Sequence, residues 1–417
     1  MALHGDGVEG TSAARDGFTL ARLIDPVDEE TFRQEYWDRQ PLLVSRGAPG
    51  YFAELLTLAD MDRVLTLSNV RDGDFRVVRD GKETPVNQLN SRRGEGGAHC
   101  LEVLYQHYRE GSTVVVNALE RRFAPLQRLA YALGTEITAR IQANIYVTPA
   151  GNRGFKPHYD THDVFICQVH GSKRWQLFGA PLDLPLRSQP HNKSLPEPTE
   201  PLQEFDLCDG DVLYLPRGTL HAGTSNDRTS VHMTLGVHPI LWHEVLEEAM
   251  RGAAHTDVRF RHGLPLGFGW DEEAQRTAQE TAAQLVAALA ERLRPQDLVE
   301  ASLARSLVLS PPDLLGHLAD LDRQAEVGAD TKVRRRAGLP FRLGVDDRLI
   351  NLDFHGKTVQ LPAHVEPEVR YVAQSGEAGF TAADIRGELD GPGRLLLVRT
   401  LVREGFLTLA QDSDALS

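Results

Sequence analysis

Between Thr113 and about His238 the chain repeats one pattern: short β-branched or aromatic runs separated by Gly, Pro and Asn. The runs are "STVVVN", "ARIQANIYVTP", "DVFICQV", "RWQLFG", "DVLYLP" and "SVHMTLGV". Each has strand length and is bounded by turn formers, so the pattern predicts strands. One helical interval, "APLQRLAYALGTEI", interrupts them. Strands so closely spaced, without the intervening helices of βαβ units, predict a mainly β core built as an antiparallel sandwich or barrel. Upstream, "DEETFRQEYWDRQPLLVSR" reads as a helix that stops before Pro41 and passes into a short strand, Leu42 to Val44. "LTLADMDRVL" reads as another helix, and residues 1–17, rich in Gly, Ser, Ala and charge, as a disordered lead-in.

The period changes at Leu241. "LWHEVLEEAMRGAA", "DEEAQRTAQETAAQLVAALAERLR" and "DLLGHLADLDRQAEV" are Ala/Leu/Glu-rich and helically periodic, interrupted by the loop "HGLPLGFGW". This region reads as a helical domain or an oligomerisation element. Farther on, "RLINLDFHGKTVQLP" alternates like a hairpin among helical segments, an arrangement that resembles a winged helix. The expected organisation is therefore a lead-in (1–17), a β-rich domain with N-terminal helical elements (18–240), a helical dimerisation domain (241–330) and a winged-helix-like domain (331–417). Such helices suggest a homodimer, although an internal helical bundle would use the same pattern.

Composition narrows the class of molecule. A 417-residue chain that is 41% hydrophobic and 25% charged suits a globular protein of two or three units. The net charge of -14 removes any average attraction for phosphate backbones, so direct nucleic-acid binding is not expected. Two basic clusters, Arg92-Arg93 and the run from Lys332 to Arg336, read as solvated faces or loops. Three cysteines without a CxxC pair argue against a disulfide framework and for a reducing cytoplasm. No secretory leader and no apolar run of membrane-spanning length is apparent.

The chemistry concentrates in "KPHYDTHDVFICQVHGSKRW" and "GDVLYLPRGTLHAG". If "PHYD" is part of a strand, His158 and Asp160 lie two apart and face one side. The second segment brings a Gly-Asp turn, a buried strand and a Pro-containing turn before His221, which can supply another imidazole from a facing strand. Two histidines and one carboxylate make the facial triad that suits Fe(II) and leaves positions open for other ligands. A lone HxD would as readily be structural, but HxD followed by G-D-x4-P-x4-H carries both the turn and the distal ligand. His162 would sit about 13 Å from His158 along a regular strand, so it reads as a pocket wall, not a ligand. His170, His232 and His238 read as surface or satisfied core histidines, and Asp163 as a supporting or loop charge.

These segments, with "YWDRQPLLV" and "ANIYVTP", resemble the ribosomal oxygenases, a JmjC-type branch of the cupin-fold 2-oxoglutarate-dependent oxygenases. The resemblance implies a double-stranded β-helix (jelly-roll) core and metal ligation by His158, Asp160 and His221. It also implies Fe(II) as metal, with 2-oxoglutarate and O2 as cosubstrates. Strand alternation alone leaves Lys173 and Arg174 both open as the basic partner of the cosubstrate's distal carboxylate; the family match falls on Lys173. Asn144 and Tyr146 match the family's polar groups near the cosubstrate, and Thr234 is a further candidate. For these three the alternative is polar groups satisfied within a barrel.

The activity so implied is hydroxylation of a ribosomal protein side chain, histidine or arginine. A second reading is hydroxylation of another peptide or a natural product on the same scaffold. A third is a non-enzymatic binding protein that acts through its winged-helix-like end, although acidic residues outnumber basic ones from Glu366 onward.

Overall fold

A computed structural model of the chain describes residues 18–67, 74–84, 98–192, 194, 196–309, 314–375 and 379–410, without the side chains of residues 98–100. The expected lead-in and the Arg92-Arg93 cluster lie outside the described residues. The chain divides after His238 into two compact units.

Among the described residues the first unit has eleven strands: β1 (Leu42–Val44), β2 (Phe75–Arg79), β3 (Lys82–Thr84), β4 (Thr113–Val116), β5 (Ala139–Thr148), β6 (Asp163–His170), β7 (Ser172–Leu177), β8 (Gln203–Cys208), β9 (Val212–Leu215), β10 (His221–Ser225) and β11 (Ser230–Pro239). They form an eight-stranded sheet, in the order β1-β9-β6-β11-β5-β4-β2-β3, and a three-stranded sheet, β10-β7-β8. The pairings β1–β9, β9–β6, β6–β11, β5–β4, β4–β2, β2–β3, β10–β7 and β7–β8 are antiparallel. This is a mainly β core with accessory helices, as the strand pattern predicts.

Two apolar cores hold it together, and the alternation of side chains assigns residues to each. Phe165, Cys167 and Val169 of β6 and Met233, Leu235 and Val237 of β11 pack outward, with Leu126, Leu129 and Leu133 of the helix Ala124–Ile137. Val164 and Ile166 point the other way and meet Trp175 and Leu177 of β7, Leu207 of β8, and Leu213 and Leu215 of β9. Strand β6 is therefore covered on both faces, which explains its nearly continuous apolar run. Strand β5 instead alternates buried with half-buried positions, because its inward residues Gln142, Asn144 and Tyr146 line an open interior.

A buried ion pair fastens the turn before His221 to the start of β6. The fully buried Asp163 accepts from the Arg217 backbone N–H (2.8 Å) and from its guanidinium (3.0 Å), which also reaches Asp38 (2.6 Å). Asp163 thus braces the fold, a more specific role than the loop charge expected of it.

Several elements differ from expectation. Residues 156–162 are irregular, and the expected strand begins only at Asp163; His158 sits in an isolated antiparallel bridge to His221. The hairpin β2–β3 turns at Asp80-Gly81, both with positive φ as a tight primed turn requires. Its charged residues, Arg76, Arg79, Lys82 and Glu83, hide the apolar alternation. Strand β8 and the helix Ala98–Arg109 were not predicted either.

The second unit begins with the helices Trp242–Thr256, Glu272–Arg292 and Pro295–Ser306. After them come β12 (Val333–Arg335), β13 (Arg342–Val345), β14 (Leu349–Phe354), β15 (Lys357–Pro362) and β16 (Leu407–Leu409). Strands β13, β14 and β15 form one antiparallel sheet, and β12 pairs with β16. The helices Glu366–Gln374 and Gly391–Arg403 share an apolar core with them, including Ile350, Leu352, Val369, Val372, Val398 and Leu401. The basic run from Lys332 is a solvated face only in part: Lys332 and Arg334 are exposed, whereas Arg335 and Arg336 are buried, and Arg336 pairs with buried Asp320 at 2.8 Å.

Among the described residues no helix is long and apolar enough to cross a membrane.

Candidate functional site

His158, Asp160 and His221 are brought together mainly by backbone hydrogen bonds. The N–H of His158 donates to the carbonyl of His221 (3.1 Å), and the N–H of His221 donates to the carbonyl of His158 (2.9 Å). Asp160 is tied to the same turn, because its carbonyl accepts from the Gly218 N–H at 3.0 Å. Gly218 has a φ of +89°, and a Cβ there would come within 2.2 Å of the Leu182 carbonyl oxygen, so this turn requires glycine.

Each imidazole is then fixed by its own Nδ1. His158 Nδ1 lies 2.8 Å from the Lys156 carbonyl oxygen, and His221 Nδ1 lies 2.8 Å from that of Thr219. A carbonyl only accepts, so Nδ1 carries the proton and Nε2 keeps its lone pair for a metal. One potential ligand atom from each of the three side chains falls within 4.8 Å of the others. Burial, reinforced by neighbouring His158, pushes His221 down to about 4, so it is neutral at physiological pH. Burial works to raise Asp160, but His158, His162, His221 and Arg76 together hold it below the ordinary carboxylate range. Two imidazoles and one carboxylate around a point are the donor set that suits Fe(II).

The interior beside this cluster contains the expected basic residue. Lys173, Trp175 and Leu177 face inward on β7, and Lys173 is only 5% exposed. Arg174 faces outward and pairs with Asp206 and Glu204, so of the two adjacent bases Lys173 is the inward one. Lys173 Nζ lies 3.5 Å from Thr148 Oγ1 and 5.5 Å from the Trp175 ring centre. Burial lowers its pKa to about 7. No carboxylate among the described residues pairs with it.

The remaining candidates occupy the inner faces of β5 and β11. The Asn144 side-chain oxygen accepts from the Ala118 N–H (2.9 Å) and from Gln142 (3.2 Å), so that oxygen is committed within the protein. The Tyr146 ring packs against Phe155, and burial raises its phenol well above the usual value. Thr234 is buried on the same face of β11 as His232.

His162 lines this interior, as expected, stacking on His238 with ring centres 4.5 Å apart. His238 also meets the Arg187 guanidinium at 3.3 Å. His232 is not a satisfied core histidine. It is 2% exposed, stacks on Tyr146 at 4.6 Å, and leaves Nδ1 without a partner. Its two-residue spacing from Thr234 already implied a shared inward face, so the signal was present in the sequence. Arg76 carried no such signal; it reaches the site because β2 joins the sheet beside β4, with its guanidinium 5.2 Å from the Phe155 ring centre.

With this geometry described, comparison with known proteins becomes informative. The family model of the JmjC domain matches residues 118–245, a span that contains His158, Asp160, Lys173 and His221. Over that span the chain is similar to JmjC domains. Ribosomal oxygenase 2 of Mus musculus is 29% identical over 299 residues, covering 69% of this chain and 63% of that protein. A Drosophila persimilis protein named bifunctional lysine-specific demethylase and histidyl-hydroxylase NO66 is 26% identical over 409 residues, covering 84% of this chain and 58% of that protein. The chain thus spans less than two thirds of either relative. The structure of the Escherichia coli ribosomal oxygenase YcfD in complex with cobalt and 2-oxoglutarate is similar with a TM-score of 0.53 at 18% identity, over 93% of this chain and 99% of that one. That likeness extends the shared fold beyond the JmjC domain.

If the three side chains are ligands, Co(II) added to the protein gives visible absorption bands that titrate to one equivalent. His158→Ala, Asp160→Ala and His221→Ala should each weaken Co(II) binding by more than the ~10–100-fold expected from losing an outer partner. Undiminished affinity in any of the three removes that residue from the set.

Proposed function

We propose that the chain is an Fe(II)- and 2-oxoglutarate-dependent oxygenase that hydroxylates a side chain of a ribosomal protein. The observation that carries this reading is the anchored pair of Nε2 lone pairs beside Asp160, in the same interior as a buried lysine that lacks a carboxylate. Iron with 2-oxoglutarate and O2 supplies oxidative decarboxylation to succinate and CO2 and the insertion of oxygen into a substrate C–H bond.

In this reading the residues divide the work. His158, Asp160 and His221 hold the metal, their positions set by backbone bonds before it arrives. Lys173 neutralises the distal carboxylate of 2-oxoglutarate where little water remains to do so. Tyr146, Thr234 and the amide nitrogen of Asn144 add hydrogen bonds without adding charge. The walls of the barrel exclude water from the reacting centre.

The surroundings of Asp160 favour a neutral target side chain over a cationic one. His162 and His238 are flanked by Arg140 and Arg187, and His238 is pushed down to about 3 by burial, then by His162 and those two arginines. A substrate guanidinium would meet this positive field unfavourably, whereas an imidazole could accept hydrogen bonds from it. We therefore favour histidine over arginine, in keeping with the histidyl-hydroxylase name of the Drosophila relative. The net charge of -14 suits a basic ribosomal substrate at longer range. Hydroxylation of another peptide or a natural product remains the second reading, and the following assay separates them.

With Fe(II), 2-oxoglutarate and O2, a ribosomal protein fraction should gain one oxygen on a histidine while succinate forms in equal amount, read by mass spectrometry. Unmodified ribosomal proteins alongside an oxidised small peptide would transfer the assignment to the second reading.

The charge state of Lys173 gives a further test. With its pKa lowered to about 7, the free protein loses the ammonium as pH rises, and a bound dicarboxylate must restore it by taking up a proton. The Kd for 2-oxoglutarate should therefore increase above pH ~7, approaching about tenfold per pH unit, with proton uptake visible as buffer-dependent binding heat. A Kd independent of pH would remove Lys173 from this role.

Residues 241–330 are proposed to form a homodimer interface and residues 331–417 a winged-helix-like domain, in a cytoplasmic protein. Along the helix Trp242–Thr256, Trp242, Leu246 and Met250 recur every four residues and are all exposed. Leu264, Leu266 and Trp270 in the following loop are exposed as well. So much apolar surface suits burial against a second copy. Sedimentation should report a dimer for the native chain and a monomer for Leu246→Glu combined with Met250→Glu; a native monomer would refute the proposal.

A further inference from the structure

We propose that His232 and Trp175 are cosubstrate-binding residues that donate their ring N–H groups, beside the Lys173 ammonium, to the far carboxylate of the 2-oxo acid. The inference rests on the reading of this site as a 2-oxoglutarate pocket, and adds two residues to it.

Three buried polar groups meet in this part of the interior without adequate partners. Lys173 Nζ has only the 3.5 Å contact with Thr148 Oγ1. Trp175 Nε1 and His232 Nδ1 are both buried without a hydrogen-bond partner. An unsatisfied buried polar group costs about 1–3 kcal/mol, so two unpartnered ring nitrogens beside an ammonium with a single 3.5 Å partner mark a place prepared for a ligand more readily than an accident of packing.

Ring contacts connect them. Lys173 Nζ is 5.5 Å from the Trp175 ring centre, and the Trp175 ring meets that of His232 at 5.6 Å and 81°, edge to face. His232 lies flat against Tyr146, 4.6 Å away with 6° between the planes. Gly223, paired with Trp175 across the sheet, lets these two side chains pack close against the β10 backbone: a Cβ would come within 2.9 Å of Lys173 Cε and 3.2 Å of the indole, so a side chain at 223 would press on both groups.

Their chemistry specifies what fits. An ammonium and an indole N–H only donate. Burial, then the charge of Lys173 and the nearness of His221, hold His232 neutral, so one of its nitrogens donates. The matching group is an acceptor with several lone pairs and a negative charge, which describes a carboxylate with its two oxygens and about four acceptor sites. A single ammonium would leave some of those sites empty; two neutral donors beside it fill them without further charge. This arrangement selects a 2-oxo dicarboxylic acid over a 2-oxo monocarboxylic acid.

The test is direct binding of two ligands to the Co(II)-loaded protein: 2-oxoglutarate, and pyruvate, which lacks the far carboxylate. His232→Phe keeps a ring against Tyr146 and removes the nitrogens, while Trp175→Phe keeps an aromatic ring and removes the N–H. Each variant should lose about tenfold in 2-oxoglutarate affinity and leave pyruvate affinity unchanged, a loss near 1.4 kcal/mol. Retention of the Co(II) spectrum shows that the site is intact. If either variant binds 2-oxoglutarate as tightly as the native protein, or loses both ligands equally, the assignment fails for that residue. Should one variant fail to fold, the other still decides its own half. Failure of the native Co(II) protein to bind 2-oxoglutarate at all would overturn the underlying pocket reading, a result distinguishable from a variant-specific one.

Discussion

The site depends on the reciprocal backbone bridge between His158 and His221. Two residues 63 positions apart exchange N–H donors, and the same pair carries both imidazoles. Because the bridge fixes the backbones and a local carbonyl fixes each Nδ1, neither ring must be ordered by the metal itself. The Gly218 N–H then draws Asp160 to the same turn, and the Asp163–Arg217 pair braces that turn against β6. Much of the ordering entropy for the cluster is therefore met by folding, which leaves more of the ligand interaction available as affinity.

A second constraint is electrostatic. Lys173 is buried where a carboxylate would ordinarily have to accompany it, and what surrounds it instead is an indole, an imidazole, a threonine and the backbone at Gly223. The cost appears as a pKa lowered to about 7. A pocket that contains a cation without its counterion is less stable empty than full, so ligand binding and stability are coupled through one side chain.

Much of this was legible in the sequence. Paired histidines with an intervening carboxylate stand out because strand cores seldom spend three ionisable groups on packing, and the Gly-Asp turn and Pro turn gave His221 a defined position. The inward direction of Lys173 was not decidable from alternation alone, since Lys173 and Arg174 are adjacent; the structure decides it by pairing Arg174 with Asp206 outside. The route by which His158 and Asp160 converge was misread as strand pleating, because a loop anchored by a single bridge leaves no periodicity to detect. The bare nitrogen of His232 was not foreseen, for imidazoles in apolar strands are commonly satisfied and an unpartnered nitrogen can be seen only once its neighbours are placed. The buried Arg335 and Arg336 hid in the same way, since their partner chemistry comes from Asp320 and not from adjacent sequence.

Strand β6 separates the two cores and belongs to both. Phe165 and Cys167 cannot leave the outer core without Val164 and Ile166 leaving the inner one, since successive side chains of one strand move together. Peptide groups at the centre of β6 should therefore exchange hydrogen with solvent only when the whole unit opens. The segment from Lys156 to His162 is tied by its backbone to the turn that β6 braces, so heat should abolish the sheet and the site that leans on it together.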